Sequence, residues 1–274
     1  MIRIKDSEDF PRLKEVITRL LGFDCSQYSN SFIGRRVETR LFANDLDSYA
    51  EYAKLLERDV GERERLRKEL TIHTTNLYRD PEMWNLFIDE VVPTLVKVKR
   101  EARDTTLKVW SVGCSTGEEP LTVALCLYEA LGPRLGGFSI QILATDIDEE
   151  TLRKAREALY EELQFRELPE AYKERYFSQV RPGLFRPSED LLRLITYQTH
   201  DIHCAVWPKR MDIILCRNTV IYFGQESKRR VYERAFDSLN PGGFFIMGKT
   251  ETLLGPASDR FQIFNVRERV FFRE

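Results

Sequence analysis

Two neighbouring glutamates, Glu118 and Glu119, follow the segment Val109-Trp110-Ser111-Val112-Gly113-Cys114-Ser115-Thr116-Gly117 and precede Pro120. The apolar run reads as a strand, the glycine-bounded stretch as a tight turn, and the residues after it as a helix that opens on carboxylates. A strand, a tight turn and a helix start form the nucleotide-cradling unit of doubly wound α/β folds. Diphosphate-binding loops lay their anion against bare N–H groups at the helix N-terminus. Two acids there would repel a diphosphate and would suit a ligand whose near end carries ammonium and sulfonium charge. The same acids would also complement the helix dipole with no ligand present, and on this segment alone both readings stay open.

Two further segments carry polar residues at the ends of apolar runs. Thr145-Asp146-Ile147-Asp148 closes the run from Ile140 to Ala144, and Cys216-Arg217-Asn218 closes the run from Met211. A carboxylate at such a strand end accepts both hydroxyls of a ribose, so Asp146 is the expected ribose ligand. Asp148 is the expected cap of the following helix. A nicotinamide dinucleotide would want G-x-G-x-x-G, whereas this loop offers G-x-x-x-G followed by two acids. S-adenosylmethionine is therefore the expected cofactor. His200-x-x-His203-Cys204 lacks further ligands at familiar spacing, so no metal site is expected.

Positioning these groups requires alternating strands and helices. Strands are predicted over Leu107 to Val112, Ser139 to Thr145, Met211 to Cys216 and Phe244 to Gly248, the last after an Asn240-Pro241-Gly242-Gly243 turn. Helices are predicted over Leu121 to Leu131, about Glu149 to Leu159 and about Ser227 to Leu239, and Ile263 to Phe272 reads as a closing hairpin partner. Such alternation implies an α/β fold, a doubly wound and mostly parallel sheet. Residues 1–70 differ, with Phe10, Leu13, Val16, Ile17, Leu20 and Leu21 at helical spacing. Further helices are expected over about Asn30 to Phe42, Leu46 to Glu57 and Arg58 to Leu70, a small all-helical domain. Residues 71–80, polar and β-branched and ending in Asp80-Pro81, read as a linker, and residues 81–274 as the α/β domain. Between Tyr176 and Tyr197 short segments rich in Arg, Pro and Gly point to a small antiparallel β appendage at about 178–197, with Leu191 to Tyr197 as one of its strands.

The 274 residues carry a formal net charge of -2 with 31% charged side chains, so no global basic field argues for nucleic acid. No apolar run approaches the roughly 20 residues that span a bilayer, and no direct membrane insertion is expected. Five scattered cysteines without a CxxC pair, and a start without a signal peptide's apolar core, give the expectation of a cytoplasmic protein with reduced thiols.

These segments resemble the CheR-type chemotaxis receptor methyltransferases. The likeness lies in Ser115-Thr116-Gly117-Glu118-Glu119-Pro120, Ala144-Thr145-Asp146-Ile147-Asp148, Cys216-Arg217-Asn218-x-x-Ile221-Tyr222-Phe223 and Tyr78-Arg79-Asp80-Pro81. An arginine-bearing segment, Phe32-Ile33-Gly34-Arg35-Arg36-Val37-Glu38-Thr39-Arg40-Leu41, adds to it, and the resemblance runs nearly the whole length in order. It implies the S-adenosylmethionine-dependent methyltransferase fold and methylation of glutamate side chains on a receptor's cytoplasmic helical bundle, with S-adenosylhomocysteine as product. Gly113 lies in the cofactor turn. By similarity Glu119 holds the methionine amino end, Asp146 the ribose, Asp201 and Ile202 flank the adenine, and Arg217 and Asn218 line the methionine side. Thr75 and Arg79 match the linker motif that closes over the cofactor. His73 stands where relatives usually have Asn, and Leu77-Tyr78 where they have Phe-Phe, so no role is carried over to His73. In some relatives the appendage docks a tethering peptide at the receptor C-terminus; it is compact here, and that role is not assigned.

Glutamate methylation needs little machinery, because a carboxylate with an ordinary pKa of about 4.3 is already ionised at neutral pH. Accordingly there is no Ser-His-Asp or Cys-His arrangement. Arg79 and Tyr222 suit the catalytic task of gripping the incoming carboxylate. Arg35, Arg36 and Arg40 share a helix region and are the expected docking residues for an acidic receptor bundle. A cofactor-binding scaffold, or a methyltransferase with another substrate, is the alternative.

Overall fold

The computed structural model describes residues 7–71, 75–204 and 206–274. By internal contacts the chain divides into two units, Met1–Ile72 with Tyr222–Lys228, and His73–Ile221 with Arg229–Glu274.

The first unit is built on α1 (Phe10–Leu21), α2 (Asn30–Ala43), α3 (Tyr49–Arg58) and α4 (Val60–Leu70). Each begins where a local signal allows it. Pro11 opens α1, and Ser29, Ser48 and Asp59 accept backbone N–H bonds at the starts of the other three. These caps explain the differences from the predicted boundaries: α3 begins at Tyr49 rather than Leu46, and Asp59 separates α3 from α4. Leu13, Ile17, Ile33, Val37, Leu41, Tyr52, Leu56 and Leu66 fill one buried core. Tyr222 and Phe223 belong to this unit, Phe223 bridging to Tyr28 and Tyr222 packing its ring on Phe32.

The second unit is a layered α/β body. After α5 (Pro81–Leu86), a π turn and α6 (Val92–Glu101), the strands in chain order are β1 (Thr106–Val112), β2 (Ser139–Asp146), β3 (Tyr160–Glu161), β4 (Phe177–Arg181), β5 (Leu184–Pro187), β6 (Ile195–Thr199), β7 (Met211–Cys216), β8 (Leu239–Met247), β9 (Gln262–Asn265) and β10 (Val270–Phe272). Helices α7 (Glu118–Leu131), α8 (Glu149–Glu157), α9 (Glu170–Tyr176), α10 (Glu189–Leu192), α11 (Gln225–Ser238) and α12 (Ala257–Arg260) complete the element order. Seven strands form the main sheet in the order β6-β2-β1-β7-β8-β10-β9. The first five are parallel and β10 is antiparallel to both neighbours. The chain winds outward from β1 through β2 to β6 and then returns to β7. The reversal lies between β1 and β7, which is where ligands sit in open sheets of this kind. Both faces of β7 are buried throughout, as strands covered by helices on both sides require.

Two predicted segments need correction. The appendage is the sheet β3-β5-β4, spanning 160–187 rather than 178–197. Ile195–Thr199 pairs in parallel with β2 and is the edge of the main sheet, while Leu191 and Leu192 are helical. The local Arg, Pro and Gly content gave no sign that Tyr160 would return to pair with Phe185. Asn240-Pro241-Gly242-Gly243 likewise lies inside β8 instead of preceding it. The register slips between Met211–Leu239 and Ile213–Phe244, and Gly242 and Gly243 exchange backbone bonds with Arg273. A positive φ of 79° at Gly242, with Val98 packed where a Cβ would stand, makes glycine necessary there.

Candidate functional site

The carboxyl ends of β2, β1 and β7 carry the chemistry-bearing residues. After β1 the chain turns through Gly113 and Gly117, both at positive φ, 67° and 93°. A Cβ on Gly113 would lie 2.5 Å from Thr219 Oγ1, and one on Gly117 would lie 2.7 Å from the Tyr197 hydroxyl. The two glycines therefore let the turn nest between the loop after β7 and the strand β6. Thr219 fastens that approach by donating to the Val112 carbonyl at 3.1 Å.

Asp146 ends β2 and is 9% exposed. One carboxylate oxygen accepts the Ser115 N–H at 2.9 Å, and the other the Asp148 N–H at 3.1 Å. Each oxygen has a second lone pair to offer, so the group is held rigidly and still has capacity for two hydroxyl donors. Asp148 caps α8 through the N–H groups of Glu150 and Thr151.

Glu118 and Glu119 have separate tasks. Glu118 is fully buried and takes hydrogen bonds from the Thr116 hydroxyl and from the Gln164 side-chain amide. It ties the turn to the base of the small sheet. Glu119 accepts the Ser111 hydroxyl at 2.7 Å, and Arg217 reaches it at a longer 3.4 Å. Burial pushes the Glu119 carboxyl above its ordinary range, against the pull of Arg217, Ser111 and the nearby charge of Arg79. A largely shielded carboxylate, its side chain 14% exposed, with so little donor support has room for an ammonium group.

Arg217, 3% exposed at its side chain, is the hub behind these acids. It bonds the Arg79 carbonyl at 2.9 Å and Asp80 at 2.6 Å, and its guanidinium lies over the Trp84 ring. Trp84 also donates to the Arg79 carbonyl. Residues 75–80 are thus stitched into this unit. Leu77 N–H bonds Gln164, Tyr78 N–H bonds the Thr122 hydroxyl, and Asn76 and the Asp80 N–H both bond Glu167. Tyr78 and Asp80 adopt left-handed backbone, φ 58° and 63°, on either side of Arg79. Thr75 is half-buried at the start of this segment, and His73 lies outside the described residues.

On the other flank, β6 brings Asp201 and Ile202 beside Asp146, whose carbonyl accepts the His200 N–H at 2.9 Å. Ile202 is buried and Asp201 exposed, with the Asp201 carboxylate accepting the His203 N–H. Asn218, at φ 57°, follows β7. His200 packs edge-on against Trp110. Among the described residues no three His, Cys, Asp or Glu side chains gather as a metal site.

In the helical unit, Arg35 is exposed and Arg36 partly so, while Arg40 is withdrawn from any docking face. Its guanidinium grips Glu62 through Nε at 2.9 Å and Nη2 at 2.8 Å. The expectation that Arg40 docks a partner is corrected for this reason: sequence spacing showed a shared helix region but not a carboxylate on the next helix but one. Tyr222 is half-buried, and its carbonyl accepts the Ser29 N–H.

Sequence reasoning missed Ser111, Gln164, Glu251 and Arg234. Ser111, the one hydroxyl inside an apolar strand, was a visible signal. Arg234 clamps the loop after β6 through the carbonyls of His203 and Cys204, and nothing local marked it.

The donor set fits an S-adenosylmethionine site: a held carboxylate for the ribose, an under-supplied one for an ammonium, and glycine turns in close approach. Comparison with known proteins agrees. Residues 73–270 match the CheR methyltransferase, SAM binding domain, and residues 8–71 match the CheR methyltransferase, all-alpha domain. The chain is 31% identical to chemotaxis protein methyltransferase 2 of Pseudomonas aeruginosa, over 90% of this chain and 87% of that one. It is 30% identical to a chemotaxis protein methyltransferase of Listeria innocua, over 91% and 92%. An uncharacterized 104.1 kDa protein of Rhodobacter capsulatus is 29% identical over 98% of this chain, which spans only 28% of that protein's length. From the strand-end carboxylates upward, then, this chain belongs to the CheR methyltransferase family, with an S-adenosylmethionine-binding domain and an all-α domain.

Proposed function

We propose that this protein methylates glutamate side chains on the cytoplasmic helical region of chemotaxis receptors, giving glutamate methyl esters. The observation that carries the reading is the pair of carboxylates, buried Asp146 and largely shielded Glu119, at the carboxyl edge of the sheet with the Arg79 charge acting on Glu119. When bound, S-adenosylmethionine supplies a methyl group on a sulfonium, an activated carbon with a neutral leaving group. Asp146 holds the ribose and Glu119, oriented by Ser111, the amino group. Asp201 and Ile202 flank the base, and Thr75, Gly113, Arg217 and Asn218 complete the surround.

Arg79 grips the acceptor carboxylate bidentately, as a guanidinium does, and no general base is needed because that carboxylate is ionised at neutral pH. Tyr222 donates one hydrogen bond to it. The left-handed residues beside Arg79 and the bonds to its carbonyl fix its backbone, so orientation is set before the acceptor arrives. Arg35 and Arg36 present positive charge to an acidic helical bundle. The five free cysteines support a cytoplasmic setting. No helix of the described residues is long and apolar enough to cross a membrane.

Incubation with methyl-labelled cofactor and receptor-bearing membranes tests this. Base-labile label on the receptor is the expected result, reduced in Arg79→Lys and Tyr222→Phe. Cofactor binding without transfer to any receptor overturns the enzymatic reading.

A further inference from the structure

Past the end of β8, Glu251 is 3% exposed and takes no part in the reaction as derived above. Its Oε2 accepts the Gly248 N–H at 2.6 Å. The backbone N–H groups of Asn218 and Val220 also favour its charged form. Those two N–H groups belong to the turn that follows β7, so one carboxylate gathers the backbone of two adjacent strand ends. Gly248 is part of the same arrangement: a Cβ there would lie 2.9 Å from the Asn218 N and 3.0 Å from Glu251 Oε2. Asn218 sits at positive φ, a conformation that asparagine adopts more readily than most residues, and its backbone N–H is among those that Glu251 collects.

We propose that Glu251 is a positioning residue whose carboxylate clamps the Arg217–Val220 turn, fixing Asn218 and Arg217 for the cofactor. This rests on the S-adenosylmethionine reading of the site. The titratable groups facing Glu251 include Arg217 and Cys216 from the end of β7 and Tyr232 from α11, and burial keeps Cys216 and Tyr232 neutral. Of these, only Arg217 is a cation that favours ionisation. Glu251 Oε1 is buried with no hydrogen-bond partner among the described residues, so burial pushes the carboxyl up to about 7 against the pull of the N–H groups and Arg217. Oε1 is the atom on which a proton settles. Protonation there removes the charge that makes the backbone bonds strong, and the turn loosens as pH falls through neutrality.

The test is calorimetric binding of S-adenosylhomocysteine between pH 6 and pH 8 to the full chain, to Glu251→Gln and to Glu251→Asp. Wild-type affinity is expected to rise about tenfold across this range, the size of one charge-assisted hydrogen bond. Glu251→Gln is expected to lose the part of that rise that Glu251 supplies, keeping only the dependence due to Glu119, and Glu251→Asp to restore the full rise. A Glu251→Gln protein with the wild-type profile overturns the role of Glu251 alone. A wild-type protein with no affinity at any pH overturns the functional reading beneath it. Should Glu251→Gln fail to fold, Glu119→Gln, which lacks the other raised carboxyl, supplies the check. It is expected to release part of a proton on binding at pH 7, seen as heat that varies with the buffer's ionisation enthalpy; no release overturns the proposal.

Discussion

Glu62 in the helical unit and Glu119 in the α/β unit are both shielded glutamates that meet an arginine, and they titrate in opposite directions. Glu62 is closed on all sides: Arg40 through two nitrogens, Arg65 at 2.9 Å and the Tyr52 hydroxyl at 2.8 Å. Burial opposes its charge, but these donors outweigh it and bring the carboxyl down to about 2. Glu119 has one hydroxyl and one long arginine contact, and burial wins. A saturated carboxylate holds a fold together, whereas a starved one is suited to a ligand. The difference lies in donor supply, not residue type.

The contrast can be broken at several points. Arg40→Ala leaves Glu62 buried with its strongest partner gone and is expected to destabilise the helical unit by about 3–5 kcal/mol in urea unfolding. The lowered Glu62 carboxyl works with the same sign: its contribution is complete above about pH 4.5 and is lost as pH falls towards 2. Stability of the wild type should therefore drop through that acid window more steeply than that of Glu62→Gln. Next in size, Asp146→Ala is expected to weaken S-adenosylhomocysteine binding by about 2–4 kcal/mol, for two charge-assisted bonds. Unchanged affinity removes Asp146 from the site. Glu119→Gln sharpens the comparison most directly, with binding weaker by about 1.5–3 kcal/mol but no loss of thermal stability at pH 8. The raised carboxyl gives stability only at low pH and loses it as pH climbs through its folded value, so its removal costs the fold nothing there. A stability loss as large as that of Arg40→Ala would erase the distinction. The smallest effect belongs to Arg36→Glu, where loss of one partly exposed charge is expected to slow receptor methylation only a few-fold, with a weakened salt dependence.

What the sequence made legible was what lies close together along the chain. Gly113, Gly117 and Asp146 mark strand ends, and a strand, turn and helix start are contiguous, so order alone placed them. Partners far apart were not legible. Arg40 meets Glu62 22 residues on, and Glu118 meets Gln164 46 residues on; neither spacing has a period that pattern reading detects. The same limit hid the pairing of Tyr160 with Phe185 and sent Ile195–Thr199 to the wrong sheet. Propensity marks a strand without saying which neighbour it will find.

The bonds from Gln164 and Glu167 to Glu118 and to residues 76–80 give the small sheet an unequal tolerance for change. Its tip, at Pro182-Gly183, is a surface hairpin with a left-handed glycine at φ 72°, tied to the root by the Glu162 N–H bond to the Gly183 carbonyl, and lengthening it there puts at risk that one bond rather than the cofactor turn. Its root is another matter. Trimming the sheet back through Glu162–Leu168 as an ornament would unfasten the cofactor turn and the segment bearing Arg79 together, so descendants of this chain can remodel the far end at will while the near end stays fixed.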